Sequence, residues 1–241
     1  MLIRDKYDGD TSVDLTEDRA RLSRGEPLAY VIGWIPFLGL RIELDSRPLI
    51  PRPETEWWTE SLLAHIKKTK GEHPFSFLDL CAGSGAIGLS VLHTCKNATV
   101  SFGEIQEEHV TQIKKNLEVN GLDASRAVIR HGDLFTPYTG ERFDVIASNP
   151  PYVPSARQLE RSVTEFEPAV ALYSGLDGLD LIRRIGSETH SHMNSNGELW
   201  LECDTSHTDE AARLIKEGGA DSVEIRNDLY GRPRISVGYY A

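Results

Sequence analysis

Phe77-Leu78-Asp79-Leu80-Cys81-Ala82-Gly83-Ser84-Gly85-Ala86-Ile87-Gly88 is the stretch from which the fold is read. The apolar run over residues 75–80 predicts a buried strand, and residues 86–94 predict a helix. Between them Gly83, Gly85 and Gly88 form a G-x-G-x-x-G pattern. Glycines at a strand-to-helix turn let the backbone bend sharply and come close to a ligand. The pattern alone fits NAD, FAD and S-adenosylmethionine sites, and also a tight turn that holds no ligand.

Downstream the alternation continues. Residues 98–103 read as a strand ending at Glu104, and 107–119 as a helix stopped by Asn120-Gly121. Strands follow over 127–131 and 143–148, a helix over 179–193, a strand over 197–203 and a helix over 208–216. Strands 222–227 and 234–239 close the chain without a helix between them. Strands alternating with helices predict an α/β fold with a mostly parallel, doubly wound, seven-stranded sheet. The last two strands predict an antiparallel hairpin. Upstream, Pro53 with Glu54 and Glu56 starts a helix to about residue 68, since proline and acids both suit a first turn. Trp57, Leu62, Leu63 and Ile66 are expected on its buried side. Residues 34–38 and 40–44 predict a β-hairpin around Gly39, and Thr16 opens a short helix. Residues 1–14 are expected to be frayed, and 154–178 to form an irregular insertion over the site. A short helix-and-hairpin extension (1–52) thus precedes the main domain (53–241).

Composition narrows the function. With 241 residues, 39% of them hydrophobic, the chain can bury a large core. Its net charge of −11 disfavours gripping nucleic-acid phosphates through bulk electrostatics. Cys81, Cys95 and Cys203 lie far apart, which suits reduced core or loop residues and no zinc site. The charged first residues show no secretory signal, and no apolar run nears the roughly 20 residues of a membrane span. These features predict a soluble intracellular protein.

Four positions carry chemistry beyond the glycine loop. Glu104, at a strand's end, can accept both hydroxyls of a ribose; the alternative is a solvated loop charge. Asp133 can accept from an exocyclic adenine amine, though aspartate after glycine is also an ordinary turn. Asp79 can meet a ligand ammonium or hold the loop by accepting backbone N–H groups. The fourth position is Asn149-Pro150-Pro151-Tyr152, which ends the strand over 143–148. Two prolines fix this turn, because proline locks φ and restrains the residue before it. A hydride-transfer enzyme has no need of this motif, whereas an amino-methyltransferase does. An amide nitrogen is a weak nucleophile with a delocalised lone pair. The Asn149 side-chain oxygen and the Pro150 carbonyl can each accept one of its N–H groups, and Tyr152 can pack on the planar group. Fixed acceptors also stabilise the positive charge that develops on nitrogen.

The glycine block together with Ser148-Asn149-Pro150-Pro151-Tyr152 resembles the class I methyltransferases that use S-adenosylmethionine. Gly25-Glu26-Pro27-Leu28-Ala29-Tyr30-Val31-Ile32-Gly33 and Leu49-Ile50-Pro51-Arg52-Pro53-Glu54-Thr55-Glu56 narrow the resemblance to the release factor glutamine methyltransferases, the PrmC/HemK family. Phe166-Glu167-Pro168 and Gly231-Arg232-Pro233-Arg234 are similar to that family as well. The resemblance implies a Rossmann-like fold and methylation of the glutamine amide in the Gly-Gly-Gln loop of a peptide chain release factor, in the bacterial cytoplasm or a mitochondrion. It implies that Cys81, Ala82, Gly83, Ser84 and Gly85 wrap the methionine part of the cofactor. Glu104 then binds ribose, Asp133 and Leu134 hold adenine, and residues 149–152 take the glutamine amide. Arg52 and Glu54 shape the rim. The chain departs from the family in carrying Glu104 where aspartate is usual, and Cys81-Ala82 where Gly-Thr is common. The family also has an N-terminal helical domain that docks the release factor. Only about 25 residues precede the Glu26 block, too few for a bundle of several helices. Docking is therefore reduced or supplied by a second protein, and the chain itself is expected to be a monomer. A ribosomal-protein glutamine methyltransferase, an adenine-amino nucleic-acid methyltransferase and an inactive partner subunit are the alternatives.

Overall fold

The computed structural model describes all of residues 1–241. Its central sheet is built from β3 (Phe75–Leu80), β4 (Ala98–Glu104), β5 (Ala127–His131), β6 (Phe143–Ser148), β7 (Met193–Glu202), β8 (Ser222–Asn227) and β9 (Pro233–Tyr240). These follow a separate hairpin of β1 (Trp34–Phe37) and β2 (Leu40–Glu43). The sheet order is β5-β4-β3-β6-β7-β9-β8, with β9 antiparallel to both its neighbours and the other pairings parallel. The seven strands and the closing hairpin agree with the reading from sequence.

Helices cover both faces: α4 (Pro53–Thr69), α5 (Ala86–Thr94) and α6 (Glu107–Val119) on one, α8 (Asp180–Thr189) and α9 (Thr208–Glu217) on the other. Strand alternation separates the two cores. Phe77 of β3 and Trp200 of β7 join the first, while Leu78, Leu80, Leu199 and Leu201 join the second. Gly88 lets α5 lie against β4, since a Cβ there would sit 2.4 Å from the Phe102 ring.

Four expectations are corrected. Residues 1–14 are packed: α1 (Leu2–Tyr7) is held where Trp34 Nε1 donates to Asp5 O at 2.9 Å and Lys6 and Tyr7 donate to buried Asp18. The short helix expected from Thr16 is present as α2 (Thr16–Ser23), and a further one, α3 (Leu28–Ile32), precedes the hairpin and ends at Gly33 with φ 98°. On α4 the buried tryptophan is Trp58, at 1% exposure, and Trp57 is 45% exposed. The buried stripe runs Trp58, Leu62, Ile66 in steps of one turn, so Trp57 falls about 100° off it. The insertion over 154–178 is not wholly irregular: it holds α7 (Arg161–Thr164), a single 3-10 turn at Ala169–Ala171, and a bridge between Val153 and Tyr173. Finally, the helix expected over 179–193 is α8 followed by a 3-10 turn, and β7 begins earlier, at Met193.

The hairpin is part of the same body. Tyr30, Phe37, Leu40, Ile42 and Leu44 share a core with Ile87, Phe102 and Ile113. Along α6, side-chain amides do the work of a neighbouring strand. Asn116 Oδ1 accepts from Glu43 N at 2.8 Å, Asn120 Oδ1 from Arg41 N at 2.9 Å, and Gln112 Oε1 from Ser46 N at 2.9 Å.

Candidate active site

The sheet order reverses between β3 and β6, and in open α/β sheets ligands bind outside the carboxyl ends of the strands at such a point. Leu80 of β3 is in register with Ser148 of β6, and Ser148 Oγ donates to Leu80 O at 2.7 Å. The glycine loop and Asn149 therefore leave two adjacent parallel strands at the same end. Both line one cavity of about 430 Å³.

Of the residues singled out from sequence, Cys81, Ala82, Gly83, Ser84, Glu104, Asp133, Leu134, Asn149 and Pro151 line this cavity. Asp79, Gly85, Pro150 and Tyr152 do not. Cys81 (φ 61°) and Leu134 (φ 47°) hold left-handed backbone without being glycine. That conformation costs about 1–2 kcal/mol per residue, and such strain concentrates at binding sites. Burial and the Glu104 charge push the Cys81 thiol up to about 12, so it packs as an inert thiol.

Glu104 is 6% exposed and braces the loop: Oε2 accepts from Gly83 N at 2.7 Å and Oε1 from Gln106 N at 2.9 Å. Each oxygen keeps a second acceptor position. Asp79 faces α5, where Oδ2 accepts from Gly88 N at 2.8 Å and Oδ1 has no partner. Of its two readings from sequence, the structure favours the brace. Burial, offset by the Gly88 N–H and reinforced by the Glu104 charge, pushes its carboxyl up to about 8. Asp133 makes two bonds with Arg184 of α8, at 3.1 and 2.9 Å.

Several wall residues were not anticipated. Arg184 lines the cavity, as does His109 of α6. His109 is 4% exposed, pairs with Ser46 Oγ through Nδ1 at 2.9 Å and leaves Nε2 buried without a partner. No sequence spacing pointed to either. Thr55, in the first turn of α4, also lines the cavity. Its hydroxyl accepts from Asn149 Nδ2 at 3.1 Å and donates to Glu202 Oε2 at 2.7 Å. Glu202, 1% exposed at the end of β7, also takes Trp58 Nε1 at 2.6 Å and the Tyr152 hydroxyl at 3.3 Å. Burial pushes its carboxyl up and the Trp58 and Thr55 hydrogen bonds pull it back. Its position at a strand's carboxyl end was a usable signal.

Arg52 and Glu54 lie outside the cavity wall. Arg52 Nη2 donates to Glu167 Oε1 at 2.5 Å, and Glu167 Oε2 accepts from Ile50 N at 3.0 Å. This clamp ties the insertion to the approach of α4, and the insertion's Val170, Ala171 and Tyr173 complete the wall. Arg232 Nη2 donates to Glu54 Oε1 at 3.2 Å.

A sheet of this order, with a glycine turn after β3, a carboxylate after β4 and an asparagine turn after β6 on one cavity, is that of a class I methyltransferase, a class that works with S-adenosylmethionine. A methyltransferase from Pyrococcus furiosus superposes with TM-score 0.61 at 18% identity, over 93% of this chain and 98% of that one, a likeness of fold. A family model, the methyltransferase small domain, matches residues 56–167.

The chain is 33% identical over 237 residues to the release factor glutamine methyltransferase of Lactococcus lactis, covering 97% of this chain and 85% of that protein. The protein of the same name from Bacillus cereus is 31% identical over 98% of this chain and 84% of its own length. The chain belongs to the release factor glutamine methyltransferase family.

Proposed function

We propose that this protein transfers a methyl group from S-adenosylmethionine to the side-chain amide nitrogen of the glutamine in the Gly-Gly-Gln loop of a peptide chain release factor. The observation that carries the reading is Asn149 and Gly83 lining one cavity. The cavity's chemistry fits the cofactor. Glu104 offers free acceptor positions for ribose hydroxyls, and Asp133 with Leu134 and Leu181 offers an acceptor beside apolar surface for adenine. Bare backbone at residues 81–85 suits the methionine end. When bound, the cofactor supplies a methyl group on positively charged sulfur, open to in-line attack.

The protein's task is to hold and polarise the acceptor. Asn149 Oδ1, in the cavity wall, accepts one N–H of the glutamine amide, and the Pro150 carbonyl, set back from that wall in the same turn, accepts the other as the amide enters, turning its nitrogen toward the methyl. As nitrogen gains the bond it becomes positive, and the two acceptors, fixed by proline and by Thr55, stabilise that charge without reorganising. The product nitrogen is then acidic enough to release its proton to water. The ring of Tyr152, whose hydroxyl reaches Glu202, backs this turn.

We read residues 1–52 as a docking region on the domain formed by 53–241; Leu49 and Pro51, at its end, line the cavity. No helix is long and apolar enough to cross a membrane, and the relatives are bacterial, which supports a cytoplasmic setting. The test is incubation with methyl-labelled cofactor and purified release factor, followed by mass spectrometry. A single methyl on the Gly-Gly-Gln glutamine is expected. Transfer to a ribosomal protein or to nucleic acid alone overturns the substrate.

A further inference from the structure

Glu202 and Thr55 stand behind Asn149, and neither carries chemistry in the reading above. We infer that they are positioning residues that decide which way the Asn149 amide faces, and thereby select a substrate nitrogen that donates hydrogen bonds. The inference rests on the proposed amide transfer.

The number of protons available fixes the direction of each bond. Trp58 Nε1 can only donate, so Glu202 Oε2, 2.6 Å away, must be an acceptor. The same oxygen lies 2.7 Å from Thr55 Oγ1. Thr55 has one hydroxyl proton, and Oε2 takes it. With Glu202 ionised, or protonated on Oε1 beside the Tyr152 hydroxyl, Oε2 has no proton to give and the count holds. With its proton spent, Thr55 Oγ1 can only accept. Asn149, 3.1 Å away, must therefore turn its NH2 to Thr55. Its carbonyl oxygen is left as the group free for substrate.

Reversing that amide would present NH2 to an incoming NH2, two donors facing each other. Asparagine and its flipped form have almost the same shape, so packing alone does not choose between them. Threonine, fixed by a fully buried carboxylate, does. Asn149 is thus delivered as an acceptor before substrate arrives. This favours amides and amines with N–H to give over substrates that must accept.

Thr55→Val keeps the shape and removes the hydroxyl; Thr55→Ser keeps the hydroxyl. Thr55→Val is expected to lower kcat about 10- to 100-fold, the scale of a misplaced reacting group, with cofactor affinity within about two-fold by calorimetry. Thr55→Ser recovers kcat to within a few-fold. Equal kcat in wild type and Thr55→Val, or equal damage in both variants, overturns the inference. A second readout needs no substrate. The Asn149 side-chain amide, identified in 15N NMR spectra by its loss in Asn149→Asp, should show slow proton exchange in wild type and Thr55→Ser and fast exchange in Thr55→Val. Unchanged exchange in Thr55→Val also overturns it. If wild type leaves release factor unlabelled while the exchange pattern holds, the substrate reading fails and the positioning role stands.

Discussion

At the scale of single residues, the site divides into groups that meet ligand and groups that hold them. Asn149 is proposed as the first kind. Asn149→Ala should lower kcat by about 10²–10³, the usual cost of one preorganised donor or acceptor, while cofactor affinity measured by calorimetry stays near wild type. Normal turnover in that variant removes Asn149 from the mechanism. Asp79 is the second kind. Its carboxyl, raised by burial to about 8, holds its proton in the folded protein where the unfolded chain has lost it. The unfolded state then binds fewer protons, so this group's contribution to stability is complete below the ordinary carboxylate range. It is lost as pH climbs toward 8. Asp79→Asn stays neutral and can still accept from Gly88 N. Thermal melts of the cofactor-free protein between about pH 5 and pH 8 should show wild type losing ground to the variant. Parallel curves count against the raised carboxyl.

At the scale of elements, the hairpin β1–β2 is held by α6 as much as by its own strands. Asn116 is fully buried and bonds Glu43 N, Glu43 O at 3.3 Å and Ser84 O at 2.9 Å. It therefore joins the extension to the glycine loop. Asn116→Ala strands a buried N–H and two carbonyls, and should cost about 1–3 kcal/mol for each group left unsatisfied, read by urea unfolding. Because Ser84 belongs to the loop, KM for the cofactor should rise as well. A stability loss with unchanged KM separates the hairpin from the loop. None of this was legible in the sequence. Polar residues along a helix read as a solvated face, and only the meeting with β2 makes them an edge cover. The short helices α1 and α3 escaped for a related reason. Helices this short are marginal alone; Trp34 and Asp18 pin α1, while Arg21 Nη2 donating to Tyr30 O and the Tyr30 hydroxyl donating to Pro48 O hold α3.

At the scale of the molecule, charge and topology bear on the proposed substrate. With a net charge of −11, the protein should give no salt-sensitive gel shift with duplex or single-stranded DNA near about 0.15 M salt. A shift that weakens steeply with salt would favour the nucleic-acid reading. The seven-strand order places the carboxyl ends of β3, β4, β5 and β6 side by side. Residues from Cys81, Glu104, Asp133 and Asn149 therefore reach one cavity although the chain separates them widely.

The amino-acid sequence by itself determined the alternating α/β order, the glycine turn, the proline-stiffened turn at Asn149 and the family. Each rests on local signals: apolar period, glycine and proline geometry, acids at strand ends. Tertiary structure alone decided which polar groups meet. Thr55 lies 94 residues from Asn149 and 147 from Glu202, and Asp133 lies 51 from Arg184. A hydrogen bond between such groups leaves no period and no spacing in the chain. It exists only because burial removes water and leaves each donor one acceptor within reach.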